Sequence, residues 1–231
     1  MSVSDEHKRA AGEAAAELVE SGMIVGLGTG STAAWFIRAL AHRIQSERLD
    51  VRGVATSKAT IALAEVLAIP LLTLNHVEID LTIDGADEIG PGLSLIKGGG
   101  AALLREKLVW EASHRCVVIA DHGKRVDRLG RYPLPIEVVT FGHEATARRI
   151  CDALAECDIG AAPRLRIRDG EPVITDEGNL LYDAACGTIE HPALLAEALK
   201  SVTGVVDHGL FLDMADEALI GGEKGVERIS P

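Results

Sequence analysis

The chain has no closely spaced cysteine pair. Cys116, Cys151, Cys157 and Cys186 form no CxxC, and no tight Cys/His run has the spacing of a structural zinc site. Free thiols in a reducing compartment are the expectation. No stretch approaches about 18 uninterrupted apolar residues, so a membrane-spanning helix is not expected. Residues 1–12 carry charge from Asp5 onward and lack the apolar block of a secretory signal, which predicts a cytoplasmic location. Basic residues are outnumbered, 23 against 35 acidic ones, and the net charge of −12 disfavours attraction to nucleic acid or anionic lipid. Repeats and low-complexity tracts are missing too, which makes a solenoid or a long disordered linker a poor description. What remains is 231 residues, 47% of them apolar, enough for one substantial core or two modest ones. A small anion still fits, because a local nest of backbone N–H groups beside one lysine outweighs a distant net field.

Residues 5–20 place Ala10, Ala11, Ala14, Ala15, Leu18 and Val19 at helical spacing. Strand, loop and helix follow over 23–27, 28–32 and 33–44. Further strands are expected at 51–55, 71–74, 79–83 and 116–120, with helices at 59–67 and 101–112. Strands this apolar on both faces need helices above and below. That predicts an α/β fold, a doubly wound, mostly parallel sheet with a smaller α+β domain, and ligands at the carboxyl ends of the strands. Gly130, Pro133 and Pro135 punctuate the chain. Residues 1–132 and 204–231 are therefore expected to form the main domain and 133–203 the smaller one. The latter would hold strands at 136–140, 165–167, 173–174 and 180–183 and helices at 143–157 and 193–200. Segments 202–206, 209–211 and 218–220 are expected to return to the first domain as edge strands or loops.

Three loops carry chemistry. Residues 26–32, Gly-Leu-Gly-Thr-Gly-Ser-Thr, join a strand to a helix; glycines admit an anion to the amides, and Thr29, Ser31 and Thr32 add hydroxyls around Gly30. The dinucleotide fingerprint fails, because its last glycine is Ser31, and no GK[ST] step follows. A tight structural turn is the plainer alternative. Residues 84–88, Asp-Gly-Ala-Asp-Glu, put three carboxylates at a strand end, where solvent, a cation or reacting hydroxyls must compensate them. Asp84 and Asp87 are better candidates than Glu88 for sugar or acid/base contact, with magnesium or a solvated acidic turn as alternatives. Residues 97–107 run from Lys97-Gly98-Gly99-Gly100 into a helix containing Glu106. If that helix begins near Gly100, Glu106 lies nearly two turns in, facing Ala102, Leu103, Val109 and Trp110. Such surroundings disfavour the carboxylate and would let it take and return a proton near neutral pH, unless it is simply a surface residue between Arg105 and Lys107. Lys124 follows the 116–120 strand, where phosphate contact and a charged turn compete. Ser57 reads as a helix cap, and His208 as either a cleft residue or a structural one.

The combination GLGTGST at 26–32, IDGADE at 83–88 and IKGGGAALLREK at 96–107 resembles the ribose-5-phosphate isomerase A family, and the likeness runs on through residues 121–124, 135–138, 175–180 and 204–211. The resemblance implies interconversion of D-ribose 5-phosphate and D-ribulose 5-phosphate through an enediolate, with no cofactor and no metal. It makes Glu106 the proton-transferring base, Lys97 the charge stabiliser, and Asp84 and Asp87 the sugar-contacting carboxylates. Thr29, Gly30, Ser31, Thr32, Gly98, Gly99, Lys124 and Lys8 become substrate-pocket positions. A homodimer or higher homo-oligomer in the cytosol is implied as well. The chain departs from the family pattern at His122-Gly123, where Asp-x-Ser-Lys is usual, and at Thr56-Ser57-Lys58 after the second strand. Two other readings compete: a nonenzymatic sugar-phosphate-binding sensor, and a metal-assisted hydride shift for which no ligand cluster is evident.

Overall fold

The computed structural model describes residues 2–75 and 77–231. Helix α1, Val3–Ala16, opens with a reciprocal cap: Ser2 Oγ accepts the Asp5 N–H, and the Asp5 carboxylate accepts the Ser2 N–H. The alternation then runs β1 Ile24–Leu27, α2 Ser31–Glu47, β2 Arg52–Ala55, α3 Lys58–Val66 and β3 Leu81–Gly85. Short strands β4 Glu88–Ile89 and β5 Leu95–Ile96 precede α4 Leu103–Glu111 and β6 Cys116–Asp121. Then come β7 Leu134–Val138, α5 His143–Glu156, β8 Arg164–Leu165, β9 Ile167–Arg168, β10 Glu171–Pro172, β11 Leu180–Ala184 and α6 Pro192–Ser201. The chain closes with β12 Val205–His208, β13 Leu210–Phe211, β14 Glu217–Gly222 and β15 Gly225–Ile229. Among the described residues no helix is long and apolar enough to cross a membrane.

Two compact units form. The first comprises the described residues up to Ala86 with Arg105–Lys124 and Asp213–Pro231; the second comprises Asp87–Leu104 and Arg125–Leu212. Residues 87–104, 125–132 and 204–212, read from sequence as part of the main domain, thus pack in the second unit.

The first unit is a six-stranded sheet in the order β15-β14-β6-β3-β1-β2, parallel except for the antiparallel β14–β15 edge. From β1 the chain leaves through α2 to β2 on one side and returns to β3 on the other. The order therefore reverses between β1 and β3, and the crevice beyond their carboxyl ends is the ligand position this topology favours. Val25, Leu27, Leu81, Ile83, Val117 and Ile119 fill one core with Phe36 and Leu40 of α2 and Ala11 and Ala15 of α1. Strand registry puts Leu27 beside Ile83, and Gly28 N–H donates to the Ile83 carbonyl at 3.0 Å. A methyl group on Gly28 would collide with the carboxylate and Cα of Asp84.

The second unit has an antiparallel sheet in the order β12-β7-β11-β8, a three-stranded sheet β13-β5-β4 and the hairpin β9–β10. Ile136 and Val138 of β7 pack with Ile150 and Leu154 of α5 and Leu195 and Leu199 of α6. Residues 205–211 do not return to the first sheet: β12 pairs with β7 and β13 with β5, while only 217–222 go back. Strand β7 is buried along its whole length, so its second edge needs a partner for its main-chain groups, and β12 supplies it. The expected strand at 71–74 shrinks to a single bridge between Leu71 and Gly53.

Glu137 is the fourth of the five residues of β7, 1% exposed, with Oε1 accepting from Thr175 Oγ1 at 2.8 Å and Asn179 Nδ2 at 2.9 Å. Burial pushes its carboxyl above the ordinary value, the two hydrogen bonds oppose that, and the nearby charges of Asp207 and Glu177 add to it. A raised acid binds its proton more tightly folded than unfolded, so it withdraws stability as pH climbs from the unfolded value through the folded one. Urea denaturation of wild type and Glu137→Gln at pH 5 and pH 8 is expected to show the variant gaining relative to wild type at the higher pH; a pH-independent difference would contradict this. Gly28→Ala is expected to lower stability by about 1–3 kcal/mol through overpacking against Asp84, read by the same denaturation.

Candidate active site

Within the first unit, residues 29–32, Asp84 and Lys124 stand at or just beyond the carboxyl ends of β1, β3 and β6, while Lys8 lies on α1 and Glu106 on α4. Asp84 is fully buried; its Oδ1 accepts the N–H groups of Thr29 at 2.9 Å and Gly85 at 2.7 Å. The carboxylate therefore fixes the loop that follows β1. The Thr29 hydroxyl turns away from solvent into a cluster with Thr56 Oγ1 at 2.7 Å, Ser57 Oγ at 2.8 Å and Thr60 Oγ1 at 3.2 Å. Thr60 Oγ1 in turn donates to the Gly28 carbonyl at 2.9 Å, while Ser57 caps α3 through the Thr60 N–H. Thr29 thus serves the loop from behind, and the Thr56-Ser57 segment is what holds it. Gly30 is the N-cap of α2 and offers no side-chain cap. The 17-residue helix begins at exposed Ser31 and buried Thr32, and the amides of a helix start are in general a favourable place for an anion.

Strand β6 ends at Asp121, whose Oδ1 accepts the Gly123 N–H at 3.1 Å and so shapes the 3-10 turn His122–Lys124. The buried His7 of α1 meets His122 edge to face, ring centroids 5.2 Å apart. That contact ties the segment of Lys8 to the segment of Lys124, both half-buried cations. The His122-Gly123 departure therefore has a structural counterpart, a ring pair closing the turn. Glu106 is 4% exposed in a helix whose other inward residues, Val109 and Trp110, are buried. The helix begins at Leu103 and not near Gly100, which corrects the position of Glu106 from nearly two turns in to the first turn. The cause is local: Gly98 at φ 106° and Ala101 at φ 64° are left-handed, and a turn bond from Ala101 N–H to the Gly98 carbonyl replaces helix.

Within the second unit, Asp87 Oδ2 accepts the Gly99 N–H at 2.7 Å, so the acidic loop and the glycine loop are joined. Lys97 is 2% exposed; its backbone N–H donates to the Gly209 carbonyl at 2.9 Å, and its Nζ lies 5.3 Å from the Phe211 ring centroid. Glu88 is taken up structurally, accepting the N–H groups of Gly130 at 2.8 Å and Tyr132 at 2.6 Å. His208 is likewise structural, with Nδ1 accepting the Leu210 N–H at 3.3 Å. Among the described residues no cluster of three His, Cys, Asp or Glu side chains could hold a metal ion, and none of the four cysteines is in a disulfide. Sequence reasoning missed Arg166, Asp183 and Tyr132, which surround the glycine loop at a separation along the chain that leaves no local signal.

A family model described as Ribose 5-phosphate isomerase A (phosphoriboisomerase A) matches residues 52–225. The Ribose-5-phosphate isomerase A of Caulobacter vibrioides strain NA1000 / CB15N is 67% identical over 229 residues, 99% of each chain. The solved ribose 5-phosphate isomerase from Plasmodium falciparum superposes with a TM-score of 0.93 at 39% identity, over 98% of this chain and 99% of that one. A D-ribose-5-phosphate isomerase solved in complex with phospho-erythronic acid gives a TM-score of 0.92 at 37% identity over 100% of both. With a two-unit α/β architecture beneath these likenesses, the chain belongs to the ribose 5-phosphate isomerase A family.

Proposed function

We propose that this chain interconverts D-ribose 5-phosphate and D-ribulose 5-phosphate by carrying one proton between C2 and C1. The observation that carries the reading is Glu106, a buried carboxylate at a helix start in a chain of this family. After the sugar ring opens, with Asp84 moving the ring hydroxyl's proton, Glu106 removes the proton from C2. The C–H electron pair becomes the C1–C2 double bond, and the C1 oxygen takes the negative charge. The Glu106 acid then returns the proton to C1 while the C2 hydroxyl proton passes to O1, leaving the ketone at C2. Lys97 and the amides beside it hold the anionic oxygen, and Asp87 contacts sugar hydroxyls. Their effect on rate depends on their holding the enediolate more tightly than the sugar.

The phosphate does not react, and anchoring it sets the carbon positions. Lys124, Lys8 and the start of α2 at Gly30, Ser31 and Thr32 suit that task, since helix amides and lysines favour a dianion. Phospho-erythronic acid, held by a solved relative, is a phosphorylated four-carbon sugar acid whose carboxylate resembles the enediolate in charge and flatness, and it makes a fitting probe of this chain. Family membership also supports a homodimer or higher homo-oligomer acting in the cytosol.

Purified wild type is expected to produce ribulose 5-phosphate from ribose 5-phosphate, and Glu106→Gln to lower kcat by about 10²–10⁴-fold with affinity for phospho-erythronic acid largely kept. Near-normal turnover by the variant would reject the base assignment, and a wild type that binds the sugar phosphate without converting it would identify a sensor. Lys124→Ala is expected to raise KM roughly 10-fold to 100-fold with a smaller change in kcat, the loss of one charge-assisted phosphate contact. Unchanged KM would remove Lys124 from the phosphate position.

A further inference from the structure

Arg166 is the least expected residue near the glycine loop. It lies in the link between β8 and β9, largely buried, and its guanidinium is held by Asp183 of β11: Nε donates to Oδ2 at 2.8 Å and Nη2 donates to Oδ1. The remaining nitrogen, Nη1, donates to the carbonyls of Gly98 at 2.9 Å and Gly99 at 3.3 Å. In a trans peptide the C=O and N–H point in opposite directions. Fixing the carbonyls of Gly98 and Gly99 on the Arg166 side therefore turns the N–H groups of Gly99 and Gly100 to the other side. Gly99 obeys this rule visibly, for its N–H is on the Asp87 carboxylate at 2.7 Å. Three consecutive glycines follow Lys97 and Gly98 stands at φ 106°, so the loop's own residues restrict it little. A Cβ on Gly99 would press on the Tyr132 hydroxyl and on Asp87, so the loop is packed as well as bonded.

We propose that Arg166, oriented by Asp183, is a positioning residue for the reaction: it fixes two successive peptide groups from behind, the first with its Gly99 N–H held on Asp87 and the second with its Gly100 N–H aimed for the anionic oxygen that Lys97 stabilises. The inference rests on the reading of the Lys97 loop as the element that holds the enediolate. Arginine suits the role because a planar fork, with two nitrogens committed to one carboxylate, leaves the third in a fixed direction. A lysine at this position would lack that second face.

The test uses the full-length enzyme with Arg166→Gln, Asp183→Asn and, as reference, Lys97→Ala. Read out are kcat, KM, the inhibition constants of phospho-erythronic acid and inorganic phosphate, and Tm. Arg166→Gln is expected to lower kcat roughly 10-fold to 100-fold and to weaken phospho-erythronic acid in parallel, while inorganic phosphate binds as before. Combined with Lys97→Ala, it should cost less than the product of the two single losses, because both act on one anion. Wild-type kcat and acid affinity in folded Arg166→Gln overturn the proposal. So does a loss confined to Tm, which is all a structural role would move. If Arg166→Gln does not fold, Asp183→Asn decides on the same readouts, because it leaves the arginine in place and releases its direction. Full activity in Lys97→Ala overturns the loop's function and this proposal with it; a crippled Lys97→Ala beside a normal Arg166→Gln overturns the positioning role alone.

Discussion

Where β1 and β3 part, the fold has almost no room. Gly28 lies against Asp84, and the Asp84 carboxylate reaches across to take two backbone N–H groups, those of Thr29 and Gly85. Burying a carboxylate costs several kcal/mol, and hydrogen bonds to a charged acceptor return about 1.5–3 kcal/mol each, so the two sums nearly balance. The arrangement therefore adds little to net stability. What it fixes is position: the backbone after β1 is tied to the end of β3 just before α2 begins. The hydroxyl cluster of Thr29, Thr56, Ser57 and Thr60 works in the same direction from the other face of the loop. In the proposed reading, a phosphate subsite built this way is ready before any ligand arrives, and little ordering cost is left for binding to meet.

The second unit solves a different problem, a buried cation. Lys97 has lost nearly all of its hydration, and a ring face at 5.3 Å restores part of it. Such a lysine gains more from an oxyanion than a solvated one would, because the anion replaces water already removed. In the proposed reaction the charge on the C1 oxygen exists only after proton removal. The interaction is then stronger in the transition state than with the neutral carbonyl, which is the condition for raising kcat and not merely tightening binding. In the same proposal Glu106, 4% exposed in the first turn of α4, is the group that takes and returns the proton.

Much of this was legible locally. The strand-loop-helix pattern at 23–44, the apolar strands at 81–85 and 116–121, and the three glycine or acidic loops are written in short stretches of sequence, where hydrophobic period and turn residues speak for themselves. Three things were not. Ala101 takes a left-handed conformation that no propensity suggests, and this moved the helix start and with it the turn on which Glu106 sits. Strands β12 and β13 join sheets whose other members lie far back in the chain, and a short Gly-interrupted run does not say which edge will accept it. Arg166 reaches glycines 67 and 68 residues away, with only a charged residue in a hairpin region to show for it.

The acidic net charge of −12 and the doubly anionic substrate are reconciled by distance. Charges spread over a surface are screened beyond about 8–10 Å at ordinary ionic strength, whereas amides and lysines act on a phosphate or an enediolate at contact range. Two elements of the chain use the same device with different hardware. At the start of α2 the helix itself aligns the N–H groups, whereas in the Lys97 loop there is no helix until Leu103 and the alignment falls to a side chain on the carbonyl side of the peptides. Glycines make both loops accessible and, by the same freedom, make them useless until something immobilises them. Asp84 and the hydroxyl cluster do so for one, Arg166 and Asp87 for the other, so the order of each loop rests on side chains outside its glycines.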